Sequence, residues 1–206
     1  MIYSLKGTLT YLEPTFAVVE CGGVGFKCFV STTTITSLTS IGTEVRLLTY
    51  MSIREDAMDL YGFSTQNELD AFKLLISVNG VGPKAAISIL SALPPDRLAV
   101  AVSCGDVKSI QVAQGVGKKT AERIVLELKD KMNIIAGGET ATVVENIQSQ
   151  VVGSNSSEAI EVLVSLGFSQ SDASLVVGKL DPNMSVDDMI RKGLQSLSAN
   201  LSQVKL

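Results

Sequence analysis

Apolar and polar residues alternate over short stretches in the first 63 residues of the chain, separated by turns rich in glycine and threonine. Alternation with many β-branched residues predicts strands. The predicted strands cover residues 2–12, 16–21, 25–30, 44–53 and 59–63. A closed barrel leaves no strand edge exposed. We therefore predict a small closed barrel over residues 1–63, in which residues 31–40 form either a loop or a short helix.

From residue 64 the apolar positions recur at helical spacing. Thr65 followed by Glu68 has the spacing of a capping box and predicts that the first helix begins there. Pro94 and Pro95 predict the start of a linking helix over residues 97–102. The apolar faces of the other predicted helices share this spacing and comprise Leu69, Phe72, Leu75, Ile76 and Val78; Ala85, Ala86, Ile89, Leu90 and Leu93; Val107, Ile110 and Ala113; and Ala121, Ile124, Val125 and Leu128.

A twelve-residue stretch of this helical region occurs twice, at 79–90 and again 35 positions later at 114–125. Gly80, Val81 and Gly82 align with Gly115, Val116 and Gly117, and a lysine follows each pair of glycines at the same place, as Lys84 and Lys119. A fixed offset with matching glycine and apolar positions indicates a duplicated supersecondary unit. Each copy is predicted to be a helix, a Gly-x-Gly hairpin and a second helix.

This duplicated unit is typical of a phosphate-binding surface. The first amides of a helix lack intrahelical acceptors and lie at the positive end of its dipole, so they bind anions. Phosphate contacts of this kind position a nucleic-acid backbone without reading its base sequence. The candidate DNA-binding residues are the four glycines and the basic and hydroxyl side chains that follow them: Gly80, Gly82, Lys84, Gly115, Gly117, Lys118, Lys119, Thr120 and Arg123.

Other interpretations of the two Gly-x-Gly hairpins are possible. They could simply join antiparallel helices beside solvated lysines, although two matched copies favour a binding role. A Walker A loop does not fit, because Val112 stands where its first glycine would be and Lys119 follows Lys118 where it needs Ser or Thr. A dinucleotide-binding loop does not fit either, because a helix rather than a strand precedes the glycines and Thr120 occupies the third small position.

The helical pattern fades after Met132. Residues 137–155, which are rich in Gly, Ser and Thr, are predicted to be a flexible connection. A short ordered piece within it stays open, because the segment also contains the apolar residues Val143, Val144, Ile147, Val151 and Val152. Residues 156–206 predict three short helices, of which the second is capped from Ser169 and the third from Ser185. An acidic bundle of this kind is a poor partner for DNA and suits a protein partner. The turn of Leu166, Gly167 and Phe168 could present an apolar contact, or Phe168 could belong to the core.

Charge and composition reduce the number of function classes that fit the chain. The chain has a net charge of −4, yet residues 64–136 hold 9 basic and 7 acidic side chains, a net +2, and form the basic part of the chain. The absence of histidine and the odd count of 3 cysteines without a CxxC pattern argue against zinc sites and serine–histidine–aspartate triads. We expect no metal and no cofactor, and we expect Cys21 and Cys28, at strand-like positions, to be buried strand residues. No long apolar run or signal peptide is found, so we expect a cytoplasmic protein without a membrane segment.

One acidic pair remains, Glu55 and Asp56, between the fourth and fifth predicted strands. Paired carboxylates at a turn usually form a solvated loop. A nuclease site with two metal ions would need a cluster of carboxylates, and this pair supports such a site only poorly.

The two hairpin motifs resemble those of the RuvA family of bacterial Holliday-junction-binding proteins. The resemblance extends in order along the chain, through Arg54-Glu55-Asp56-Ala57, Leu60-Tyr61-Gly62-Phe63, Gly22-Gly23-Val24-Gly25-Phe26 and Glu158 to Phe168. It implies an N-terminal all-β OB-type barrel (1–63), a central all-α double helix-hairpin-helix domain (64–136), a linker (137–155) and a mobile C-terminal three-helix UBA-like bundle (156–206). One departure is Gln114, where a proline often precedes the second hairpin.

The resemblance also implies a function and partners. The chain would be a non-catalytic subunit that holds four-way DNA junctions open as a homotetramer, with a second tetramer able to close over the DNA as an octamer. Its C-terminal bundle would recruit a RuvB-type ring ATPase for branch migration in recombination and repair, with Leu166, Gly167 and Phe168 as candidate contacts. A RuvC-type resolvase could share the DNA. Glu55 and Asp56 would form an acidic pin near the junction centre.

Two other classes of protein stay open at this point. A structure-specific nuclease or glycosylase would use the hairpins to hold DNA, but it would need a carboxylate cluster or a nucleophilic lysine in a pocket. A protein-only adaptor would use the barrel and bundle for partners and would bind no DNA.

Overall fold

A computed structural model describes residues 1–134, 155–181 and 183–203 of the chain. Residues 137–154 of the predicted linker lie outside the described residues. Asn155, the last residue of that predicted linker, is the first residue of a helix.

The first 63 residues form the predicted barrel. Its strands are β1 (Ser4–Glu13), β2 (Phe16–Cys21), β3 (Val24–Val30), β4 (Glu44–Ile53) and β5 (Met58–Phe63). The sheet closes in the order β1-β2-β3-β5-β4, with β3 and β5 parallel and the other pairs antiparallel. Gly62 lies at a closely packed position of the barrel, since an added Cβ would come within 3.0 Å of Leu47 and 3.1 Å of Cys28. The predicted all-β closed barrel is confirmed.

Residues 31–40, which the sequence left as a loop or a short helix, contain the helix α1 (Thr32–Ser37). The hydroxyl of Ser31 caps it by accepting a hydrogen bond from the amide of Thr34, at 3.1 Å. The helix is bonded to the following domain, because Thr33 donates to the carbonyl of Leu90 at 3.1 Å. The barrel is thus attached to its neighbour by a short helix and not only by the connecting chain.

The central domain is helical, as predicted. Its helices are α2 (Gln66–Ser77), α3 (Pro83–Ala92), α4 (Pro95–Cys104), α5 (Val107–Gln111) and α6 (Lys118–Leu128), followed by a 3-10 segment, Lys129–Ile134. The apolar faces read from the sequence meet in one core. Its most buried members include Leu69, Phe72, Leu75, Ile89, Leu90, Leu98, Ile110, Ala121 and Ile124.

Aromatic residues of the barrel enter this helical core. Phe72 of α2 contacts the rings of Phe63, Tyr50 and Tyr61, with centroids 4.9, 5.2 and 5.4 Å away. Phe63 and Tyr61 belong to the same buried cluster as the helices, whereas the interior of the barrel has its own cluster around Leu9. Barrel and helical domain therefore share an apolar interface.

A buried carboxylate joins the same two domains. Glu68 of α2 is 1 % exposed. It accepts hydrogen bonds from Thr34 at 2.6 Å, from the amide of Ser64 at 3.3 Å and from the hydroxyl of Ser31. Thr65 caps α2 as the sequence predicts, by accepting from the amide of Glu68 at 3.2 Å. The side chain of Glu68, however, bonds to the barrel side, so the local motif is also a tertiary contact.

The C-terminal residues form the three predicted helices, α7 (Asn155–Ser165), α8 (Gln170–Val177) and α9 (Val186–Gln203). Gly167 has φ +100° and ends the turn after α7. Ser169 and Ser185 cap the next two helices by accepting from the amides of Asp172 and Asp188, at 3.0 and 3.3 Å. The small core of this bundle contains Ala159, Ile160, Leu163, Ala173, Val177, Met189 and Leu197.

Within the described residues no single helix is both long and apolar enough to cross a membrane, and the one pair that would suffice together, α3 with α4, is bent by 93°. The three cysteines are free thiols. Cys28 is buried in β3, where burial raises its pKa to about 12. It is a packing residue, as its strand position predicts.

Candidate nucleic-acid interface

The first Gly-x-Gly hairpin joins α2 to α3. Gly80 has φ +91°, a conformation that L side chains rarely adopt. Val81 points inward and is 5 % exposed, while the glycines on both sides of it are exposed. Gly82 is the N-cap of α3, with no side chain bonded to the helix amides, and Pro83 occupies the first turn.

The second hairpin joins α5 to α6 in the same way. Gly115 has φ +82°, Val116 is 7 % exposed, and Gly117 is the N-cap of α6, again without a side-chain cap. Gly82 and Gly117 have nearly equal backbone angles, φ −87° with ψ 169° and φ −81° with ψ 167°. The sequence repeat is therefore also a structural repeat.

The hydrogen bonds of the two hairpins match at the same offset of 35 residues. The amide of Val81 donates to Val78 at 3.0 Å, and the amide of Val116 donates to Ala113 at 3.2 Å. In each copy the N-cap glycine carbonyl accepts from the fourth residue after it, at 3.0 Å. A buried valine and a closed turn fix each hairpin against its domain, so that the helix start is held rigidly at the surface.

Each hairpin leaves the first turn of its second helix open. Most helices begin with a side chain that accepts a hydrogen bond from an amide of the first turn. Here both N-caps are glycines, which cannot do so. Uncapped amides at the positive end of a helix dipole are able to bind an anion such as a phosphate.

The glycines leave room for a ligand backbone. A Cβ added at Gly80, Gly82, Gly115 or Gly117 would meet no atom of the protein within 4 Å. Packing therefore does not require glycine at Gly82 and Gly117, whose φ angles are ordinary. A close approach by another molecule explains them better.

The predicted basic residues lie beside these helix starts. Lys84, Lys118 and Lys119 are exposed, and Thr120, in the first turn of α6, is half-buried. Lys118 lies 3.8 Å from Glu122, at the edge of ion-pair distance. Exposed lysines on flexible stems are able to neutralise phosphates of a nearby nucleic-acid backbone.

Arg123 connects the two hairpins. Its guanidinium Nη1 donates to the carbonyl oxygen of Asn79 at 3.1 Å, across from α6 to the first hairpin. The same side chain lies 3.8 Å from Glu127. Sequence spacing marked Arg123 only as a cation. The structure adds that it brings the two repeats together, a role with no counterpart in the first copy, where Ser88 occupies the matching position.

The acidic pair lies at the tip of the β4–β5 hairpin, apart from the helical hairpins in the chain. Arg54 and Ala57 close the turn through main-chain bonds of 2.8 and 3.4 Å, and Arg54 bonds Asp59 at 2.7 Å. Glu55 and Asp56 are exposed at the tip. No group of three or more metal-ligating side chains occurs in the described parts of the chain.

The apolar turn after α7 is divided between two environments. Leu166 is 57 % exposed. Phe168 is half-buried against the core of its own bundle and lines a groove of about 390 Å³ that faces Val107 and Lys108 of α5. The sequence left Phe168 as either a contact or a core residue, and in the structure it packs on the core while remaining partly accessible.

Sequence reasoning missed the contacts that join domains. Besides Arg123 with Asn79 and the bonds of Glu68, it missed the hydrogen bonds between Asp106 and Ser171, which lie 65 residues apart in the chain. The position of Asp106 before a short helix indicates a cap, but nothing in the sequence indicates the second helix that it reaches.

Three family descriptions match the chain. The RuvA N-terminal domain matches residues 1–62, the SAM-like helix-hairpin-helix tandem matches residues 72–130, and the RuvA C-terminal domain matches residues 154–198. Their order is that of the barrel, the hairpin domain and the bundle.

Full-length relatives carry one description, "Holliday junction branch migration complex subunit RuvA". The relative from Acetivibrio thermocellus is 44 % identical over 202 residues, covering 96 % of this chain and 99 % of the relative. The relative from Clostridium botulinum is 41 % identical, with 94 % and 97 % covered. The relative from Delftia acidovorans is 39 % identical, with 96 % and 100 % covered.

Proposed function

We propose a function on the premise that the chain belongs to the RuvA family: it is the non-catalytic DNA-binding subunit of a Holliday-junction branch-migration complex. It binds four-way DNA junctions, holds them open and leaves the ATP-driven work to a partner. Its role lies in DNA recombination and repair. We also propose the division into residues 1–63, 64–136, 137–155 and 156–206 for barrel, hairpin domain, linker and partner-binding bundle.

The observation that carries this proposal is the pair of matching uncapped helix starts, each behind exposed glycines. A phosphate on the amides of α3 and another on those of α6 would place the two repeats along one duplex arm. The proposed contacts are to the backbone alone, so binding depends on the shape of the DNA and not on its sequence. Neutralised phosphates release counterions, so the affinity falls steeply with salt.

Specificity for a junction requires several arms to be held at once. We propose a homotetramer with four-fold symmetry, in which each subunit grips DNA through its own two hairpins. Glu55 and Asp56 from each subunit then converge near the crossing strands. Their like charge disfavours phosphates at the centre and keeps the strands on separate paths. These carboxylates steer DNA and take part in no bond-breaking step.

The C-terminal bundle is proposed to bind a RuvB-type ring ATPase, with Leu166, Gly167 and Phe168 among its contacts. A RuvC-type resolvase is proposed to act on the DNA face left open by one tetramer, and a second tetramer to close that face as an octamer. The exposure of Leu166 supports an apolar contact at this turn.

A gel shift of a labelled four-way junction against linear duplex of the same sequence tests the function, with light scattering for the number of subunits. We expect the junction to shift at a lower protein concentration than the duplex, and a mass that is a multiple of four chains. Equal affinity for junction and duplex would contradict junction binding. Cleavage of the junction by the chain alone in Mg²⁺ would favour a nuclease, and no shift at low salt would favour a protein-only adaptor.

A further inference from the structure

The carboxylate of Asp106 caps two helices that belong to different domains. At the start of α5 it accepts from the amide of Ser109 at 3.1 Å and from its hydroxyl at 2.7 Å. At the start of α8 it accepts from the amide of Ser171 at 3.2 Å and from its hydroxyl at 2.8 Å. Asp106 is only 8 % exposed, so these four bonds form largely away from water.

The two caps of α8 are complementary. Ser169, the N-cap residue that precedes this helix, accepts from the amide of Asp172 at 3.0 Å. Asp106, from the hairpin domain, satisfies the amide of Ser171. The start of α8 is therefore completed only when the bundle lies against α4 and α5, and a negative charge at a helix start is further favoured by the helix dipole.

The residues around Asp106 also match between the bundle and the hairpin domain. Arg97 of α4 pairs with Asp172 of α8 at 3.3 Å. Leu175 packs against the core of the hairpin domain, and Ser171 and Ser174 are 7 % and 3 % exposed. The contact thus combines an apolar centre, an ion pair and a buried carboxylate with its donors supplied from both sides.

From this geometry we infer that the α4–α5 surface is a docking site for the chain's own C-terminal bundle. The carboxylate of Asp106 holds the bundle there through its bonds to Ser171. In the docked state the first turn of α8 and the groove beside Phe168 face the hairpin domain. A protein that binds either feature must displace the bundle. This second statement rests on the proposed function of the bundle, whereas the docking itself does not.

The substitution Asp106→Asn tests the two caps separately, because it can keep the cap of α5 while it weakens the cap of α8. An asparagine keeps one oxygen, which can still accept from the amide of Ser109 and cap α5. Its NH₂ group cannot accept from the amide of Ser171, so that bond to α8 is lost, and the NH₂ group can only donate to the Ser171 hydroxyl. The matched control is Asp187→Asn, the same change at an exposed position in the first turn of α9.

Amide hydrogen exchange on the full chain, without DNA or partner, tests the docking. In Asp106→Asn we expect the amides of residues 170–175 to exchange at least about tenfold faster, with the amide of Ser109 still protected. The control should match the wild type. Unchanged exchange at 170–175 would overturn the inference. Ser171→Ala leaves the α5 cap untouched and should give a smaller increase in exchange at residues 170–175. No increase in this variant would also contradict the proposed role of Asp106.

A second measurement tests the competition. Binding of the purified ring ATPase to the full chain is compared for the wild type, Asp106→Asn and Asp187→Asn. Tighter binding by Asp106→Asn alone is expected, and equal binding by all three would overturn the competition. If the ATPase binds none of the three, the proposed partner is wrong, whereas the exchange result still decides the docking.

Discussion

The guanidinium of Arg123 donates a hydrogen bond of 3.1 Å to the carbonyl oxygen of Asn79, and this contact joins the second repeat to the first. Asn79 immediately precedes Gly80, the residue with positive φ in the first hairpin. The bond therefore fixes the position of the first hairpin relative to α6, whose start is the second proposed phosphate site. Two sites can hold neighbouring parts of one duplex only if their separation is constant.

Replacement of Arg123 by Ala should affect both stability and binding. The lost bond to a main-chain carbonyl is expected to lower the melting temperature by a few degrees, corresponding to about 1 kcal/mol. Junction affinity should fall by more than the loss of one cation explains, because the two hairpins are no longer held together. Thermal unfolding and a salt-dependent junction titration measure the two effects.

Lys119→Ala provides the contrast, because Lys119 is exposed at the start of α6. We expect the same melting temperature as the wild type, a weaker affinity that is similar for all DNA sequences, and a salt slope reduced by about 1. A loss of affinity that depended on base sequence would contradict contacts to the backbone alone.

Gly117→Ser places a capping hydroxyl at the start of α6. Serine is a good N-cap, so the free energy of unfolding should stay equal or rise by a few tenths of a kcal/mol. The hydroxyl would occupy the amides proposed for phosphate, and we expect junction affinity to fall roughly tenfold. Urea unfolding and a junction titration check this. Gly117→Ala is the companion variant, since it adds the Cβ without the hydroxyl, and wild-type affinity in the serine variant would exclude the amide site.

Glu68→Ala should destabilise the chain by about 2–4 kcal/mol, because it removes a buried acceptor from the hydroxyls of Ser31 and Thr34. The amide of Ser64 loses its bond to the carboxylate but keeps its bond of 3.0 Å to the hydroxyl oxygen of Thr34. Urea unfolding measures the loss. Glu122→Ala, at an exposed position of α6, is the control and should change stability little. A similar small effect for both would mean that Glu68 does not hold the barrel to α2.

The double substitution Glu55→Gln/Asp56→Asn should leave stability unchanged, because both side chains are exposed at the hairpin tip. It should bind linear duplex more tightly and so discriminate less between junction and duplex, since repulsion of phosphates is removed. Junction and duplex titrations, with the migration rate in the presence of the ATPase, test this. Glu20→Gln/Glu44→Gln removes the same charge elsewhere on the barrel and should retain discrimination. Three unchanged readouts in the tip variant would disprove the pin.

Docking of the bundle should weaken in acid. Burial alone would raise the pKa of Asp106, but the hydrogen bonds from Ser109 and Ser171 outweigh it and hold the pKa below its ordinary value of 3.8. The bonds from Ser109 persist without docking, so only the part of this lowering that comes from Ser171 favours the docked state. That stabilisation is fully present when the pH lies above the pKa of the undocked state, and it is lost as the pH falls through the lower pKa of the docked state. Exchange at residues 170–175 should therefore be constant near neutral pH, after correction for the intrinsic rate, and should rise only at strongly acid pH.

Other ionisable groups also lie at the contact between the bundle and the hairpin domain. These groups are Arg97 on α4, Cys104 at the end of α4, Lys108 on α5, Lys129 after α6 and Asp172 on α8. Burial raises the pKa of the Cys104 thiol to about 11, so it does not titrate in acid. Comparison with Asp106→Asn isolates the contribution of Asp106. If that variant showed the same acid transition as the wild type, the transition would belong to another group.

The sequence alone determined the parts of this protein that depend on local pattern. Alternation predicted the strands, because side chains of a strand point to opposite faces, and helical spacing predicted the helices. The two Gly-x-Gly repeats were visible because positive φ at Gly80 and Gly115 requires a residue without a Cβ. The family resemblance came from the same local motifs, and the barrel, the hairpin domain and the three-helix bundle were all predicted in order.

Only the tertiary structure decided the contacts between these parts. Thr65 and Glu68 have the spacing of a local cap, yet the side chain of Glu68 bonds to Ser31 and Thr34 of the barrel. Asp106 reaches across 65 residues to Ser171, and Arg123 across 44 to Asn79. Such pairings depend on how the domains pack, since a hydrogen bond requires two groups at the right distance and angle and not a spacing along the chain.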